Sequence, residues 1–90
     1  MLLQKVKTSL RISHNKLDDE LTDLINAALS ELKIVGITNT YELDPLIIRA
    51  VITYCKANFG MNNADSEKLQ KAFELLRSHL SLVGDYNGIQ

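Results

Sequence analysis

Residues 44–60 read DPLIIRAVITYCKANFG, the densest apolar run in the chain, with punctuation at both ends. Asp44 is placed to accept hydrogen bonds from the free N–H groups of a first helical turn, and Pro45 suits the first helical position, where it has no N–H to lose. Gly60 offers a left-handed stop. The stretch therefore predicts one buried helix. With successive residues turned about 100° round the axis, Arg49, Thr53 and Lys56 fall on one polar stripe, and apolar side chains cover most of the remaining circumference. Such a helix needs neighbours on several sides.

Working outward, Leu17, Leu21, Leu24, Ile25, Ala28, Leu29, Leu32 and Val35 recur at three- and four-residue steps up to Gly36. This spacing predicts a long amphipathic helix with Ser13 or Asn15 as its N-cap. Asp18, Asp19 and Glu20 fall in its first turn and Lys33 near its end, the arrangement the helix dipole favours. Before it, Leu3, Val6 and Leu10 predict a short amphipathic helix over residues 2–11, with basic residues toward its end. The segment GITNTYEL, Gly36 to Leu43, reads as a surface loop. After Gly60, Asn63 or Asp65 can cap a fourth helix running to about Val83, with a core stripe of Leu69, Ala72, Phe73, Leu76, Leu80 and Val83. Gly84 ends it. The predicted fold is all-α: a small bundle of about four helices, with a short first, long second, buried third and long fourth. Residues 1–84 form one helical domain, and residues 85–90, DYNGIQ, a flexible polar tail.

Ninety residues are enough for one domain with a modest core. Ten Lys plus Arg against eleven Asp plus Glu give a net charge of −1, which supplies no global field for nucleic acid or an anionic membrane. The single cysteine, Cys55, lies within the apolar arc of the central helix and suits a reducing, intracellular setting. No apolar run reaches signal-peptide or membrane-spanning length, so a soluble, cytoplasmic protein is expected.

The side chains with the chemistry for a catalytic or metal site are few. Asp18, Asp19, Glu20 and Asp23 spread round the second helix, where dipole stabilisation explains them without a metal. Cys55 and His79 lie on helices expected to pack together, but a cysteine set among Ile48, Val51 and Ile52 should behave as a buried hydrophobe rather than a nucleophile. His79 is expected at the boundary of the core, and His14 in a loop or cap. The glycines are isolated singles, and no CxxC or HExxH spacing is present. No catalytic group, metal or cofactor is expected. The fourth helix mixes Glu67 and Glu74 with Lys68, Lys71 and Arg77, the pattern of a solvated surface rather than a recognition helix.

Leu75 and Leu82 stand apart from the fourth helix's core stripe, one above the other on an otherwise polar face. Together with the apolar excess of the central helix, they point to self-association.

Four blocks, in order, carry a resemblance: VKTSLRIS (6–13), LDDELTDLINAALSEL (17–32), DPLIIRAVITYCKANFG (44–60) and DSEKLQKAFELLRSHLSLVGDY (65–86). The chain resembles the small head-tail connector, or adaptor, proteins of tailed bacteriophages and prophages. The resemblance implies an all-α subunit, assembled in the host bacterial cytoplasm, that joins others in a dodecameric ring at the virion neck. Its implied partners are further copies of itself, the portal protein, the stopper or tail-completion protein, and genome DNA that passes through without sequence-specific binding. No membrane is implied. Ring contacts of this kind bring two unlike surfaces together. Leu75 and Leu82 are the candidates for one, and the Arg49, Thr53, Lys56 stripe for the other. The loop from Ile37 to Leu43 and the tail, with Asp85 and Tyr86, are candidates to order on a neighbouring subunit or the portal. The alternative readings are a small helical DNA-binding or regulatory protein of a mobile element and, third, a small helical enzyme.

Overall fold

A computed structural model describes residues 2–37, 44–59 and 65–82. They form four helices: α1 (Leu2–Leu10), α2 (Asp18–Ile34), α3 (Pro45–Asn58) and α4 (Ser66–Ser81). The all-α bundle expected from the apolar periodicity is thus the fold. The Gly60 stop, most of the 36–43 loop, Val83, Gly84 and the tail with Asp85 and Tyr86 lie outside the described residues.

The organising helix starts as its sequence dictates. Asp44 is extended, and its carboxylate accepts from the backbone N–H of Leu46 at 2.9 Å and of Ile47 at 3.5 Å, with Pro45 opening the helix. Ile47, Ala50, Val51, Cys55 and Ala57 of α3 are buried. The other three helices each pack against α3, most extensively α4, while α1 also packs against α2. One core results, in which Val6, Leu21, Ala28, Leu32, Ile47, Val51, Phe73 and Leu80 lose almost all contact with solvent.

Helix α2 opens later than the cap spacing suggests. Ser13 and Asn15 do not cap it; Leu17 holds the N-cap position without a side-chain bond, and Asp18 is the first helical residue. Asn15 is engaged elsewhere, its Oδ1 accepting from Lys7 Nζ at 2.9 Å. Lys7 is buried on α1 and stands 2.9 Å from Asp18 Oδ1, an ion contact rather than a directed hydrogen bond. A buried ammonium needs such partners, and here they clamp the end of α1 to the start of α2.

Helices α1 and α2 end in the same way. Arg11 N–H donates to Thr8 O and Ile12 N–H to Lys7 O, while Gly36 N–H donates to Lys33 O and Ile37 N–H to Leu32 O. Both are left-handed reversals in which the residue after the turn reaches back to the last helical carbonyls. The turn residue has φ 60° at Arg11 and 91° at Gly36. The second reversal corrects two sequence expectations. Val35, placed on the core stripe, is 37% exposed, and Ile37, placed in a surface loop, is fully buried. The helix stops at Ile34, so the chain turns Val35 outward and folds Ile37 back toward Leu32.

The two long C-terminal helices are antiparallel. Near one end Ser66 Oγ donates to Ala57 O at 2.8 Å, and further along the rings of Tyr54 and Phe73 meet edge to face at 5.0 Å. Arg77 reaches across to Glu31 on α2 at 2.8 Å and lies 5.9 Å from the Phe73 ring centre. That ion pair is partly exposed, so it contributes roughly 0.5 kcal/mol and chiefly sets the register of α4 on α2.

Candidate functional site

The polar stripe of α3 borders a groove. Between α1 and α4, which flank α3 without packing closely on each other, lies an open trough of about 760 Å³. Ile48 and Ile52 of α3 with Leu69 and Ala72 of α4 supply its apolar lining. Lys5 and Ser9 of α1 and Arg49, Thr53 and Lys56 of α3 supply its polar lining. Thr53 Oγ1 donates to Arg49 O at 2.8 Å, keeping its hydroxyl satisfied within the helix. Ile48 and Ile52 are only partly buried, so the apolar surplus read from the sequence of α3 collects here.

Of the other candidates, Leu75 lies on α4 and Leu82 just past its end. Leu75 is 73% and Leu82 84% exposed, standing off the core as their angular positions predict. They are not among the groove-lining residues. Two further exposed apolar side chains were not singled out by the sequence: Ile34, 75% exposed at the end of α2, and Leu46, 39% exposed at the start of α3. Ile34 is the last residue of α2 and stands one turn beyond the exposed Ser30, so its exposure follows from its place on the outward face of that helix. Lys5 and Ser9 were also missed as site residues; their spacing marks one face of α1 but not its position against α3.

The residues considered for catalysis are dispersed. Cys55 is fully buried, and burial pushes its thiol up to about 12, away from the thiolate form a nucleophile requires. His79 is exposed on the last turn of α4. Desolvation, followed by the nearby Glu31 carboxylate and Cys55, raises the Tyr54 hydroxyl above its ordinary value. Among the acids of α2, Asp18 is taken up by Lys7, while Asp19, Glu20 and Asp23 are exposed. Among the described residues no group of three or more His, Cys, Asp or Glu side chains is placed to hold a metal ion. No described helix is long and apolar enough to cross a membrane. What the surface offers is a cation-rimmed apolar trough and several exposed aliphatic side chains, features suited to contact with other macromolecules.

Comparison with protein families gives a match to the model described as phage connector protein, over residues 2–87. Neither the curated proteins nor the solved structures include a match.

Proposed function

The chain belongs to the phage connector protein family, and from that membership we propose that it forms a ring at the virion neck, joining the portal to the stopper or tail and extending the DNA channel. It is a structural protein of the phage particle. The family match across nearly the whole chain carries the reading. Three features support it: an all-α fold, a surface that carries both exposed aliphatic side chains and an apolar trough, and a net charge of −1. Near-neutral charge suits a conduit, because a strongly basic wall would hold the phosphate backbone through counterion release and impede its passage.

In this role the protein acts by geometry and has no substrate. The Arg49, Thr53, Lys56 stripe serves as a contact between subunits. Leu75 and Leu82 belong to an assembly interface, and Asp85 and Tyr86 in the tail to a contact with the portal. Subunits assemble in the host cytoplasm and remain at the head-tail junction.

Mixing the purified chain with its cognate portal tests the proposal. Negative-stain images should show a new ring on the tailward end of the portal, with the two proteins sedimenting together. Portals that remain bare at saturating chain concentration would overturn it.

A further inference from the structure

We infer that the trough between α1 and α4 receives the outward face of α2 from a second copy of this chain, so that the neighbour's α2 completes the packing around α3. The inference rests on the ring reading and names the two surfaces that meet. Within one copy α3 is flanked by α1, α2 and α4, and α1 also packs on α2. The open side of α3 is the trough between α1 and α4, so it faces away from α2. A surface on one side and its complement on the other allow copy to follow copy, the arrangement of a head-to-tail contact.

The two surfaces are complementary in charge, and the ridge is long enough to span the trough. Asp19, Asp23, Asn26, Ser30 and Ile34 follow one another at three- and four-residue steps along α2, and all are exposed. Acids occupy one end of this ridge, small or neutral polar side chains its middle, and an apolar side chain its other end. Opposite them, Lys5 of α1 and Arg49 of α3 line the trough together with Ile48 and Ile52. The acidic end meets the cationic rim, Asn26 one turn on lies over Ile48 and Ile52, and the small Ser30 lets the helix approach closely. From Asp19 to Ile34 the ridge runs about 22 Å, and the trough from Pro45 to Lys56 about 16 Å, so one helix can fill the other's opening. Phosphate would satisfy the cations but leave the isoleucines uncovered, which favours a protein helix over nucleic acid.

Charge reversal tests the pairing, with solution mass measured by light scattering over a concentration series and helix content checked by circular dichroism. The wild-type chain should exceed the mass of one subunit as concentration rises. Lys5→Glu with Arg49→Glu, and separately Asp19→Lys with Asp23→Lys, should each raise the apparent Kd for self-association about tenfold or more. The chain carrying all four substitutions should recover assembly. The pairing is overturned if the wild-type chain stays a single subunit throughout, if the reversals leave the mass unchanged, or if the four-substitution chain fails to recover. Portal binding by the wild-type chain judges the neck role separately: a chain that docks on the portal while its mass ignores the reversals keeps that role and loses this pairing. Duplex DNA retained at low salt by the wild type, and lost with Lys5→Glu and Arg49→Glu at unchanged mass, would reassign the trough to phosphate.

Discussion

Arg11 and Gly36 perform the same backbone task with different side chains. Each closes a helix from the left-handed region, where a Cβ sits too near the following carbonyl oxygen. Arg11→Gly should therefore stabilise the fold by about 0.5–1 kcal/mol, since the relief of strain exceeds the extra entropy glycine loses on folding. Gly36→Ala should cost about 1 kcal/mol; an added Cβ there has nothing within 4 Å, so the cost comes from the backbone angle alone. Urea midpoints of the two variants should move in opposite directions. Gly36 marks the end of the α2 periodicity in the sequence, whereas Arg11 resembles any basic residue at the end of a helix, which is why the site of the second reversal was legible, though not its inward turn of Ile37, and the first was not.

Cys55 makes stability depend on alkaline pH. Its folded value of about 12 lies above the ordinary 9.0, so the unfolded thiol ionises first. The associated stability is complete below pH 9.0 and declines as pH rises toward 12. In urea titrations, Cys55→Ala should show a smaller loss across that window than the wild type, with the Tyr54 contribution remaining because its value is also raised. Native alkylation should be slow at neutral pH and become fast once urea unfolds the chain.

At the scale of the element, α3 shows how far local signals reach. The Asp44–Pro45 start was readable because both residues act on the backbone within one turn. Asp44→Ala should cost about 1 kcal/mol by leaving the Leu46 and Ile47 N–H groups without their acceptor, a loss measurable by urea denaturation. The start of α2 was misread because Asn15 bonds Lys7 on another helix, and no local pattern encodes that engagement. The same limit applies to the assembly surface. The stripe Arg49, Thr53, Lys56 follows from angular position alone, but the trough exists only because α1 and α4 flank α3 at a distance. Leu75 and Leu82 were legible as exposed because α4 is regular through Ser81. Replacing both with Glu should abolish assembly on the portal while moving the urea midpoint by no more than about 0.5 kcal/mol. Loss of portal binding with an equal loss of fold would count against an interface role.

For the whole molecule, the arrangement of all other helices around α3 also governs how the chain is made. Pro45 begins the second half of a ninety-residue sequence. While a ribosome is still synthesising the protein, α1 and α2 emerge before the α3 surface they pack on, and short isolated helices are marginal in water. A fragment ending at residue 37 should accordingly give a largely disordered circular dichroism spectrum, and a stably helical fragment would contradict this dependence on α3. The nascent first half must wait, exposed to proteases and to its own kind, until α3 clears the exit tunnel, and folding then proceeds as one concerted event.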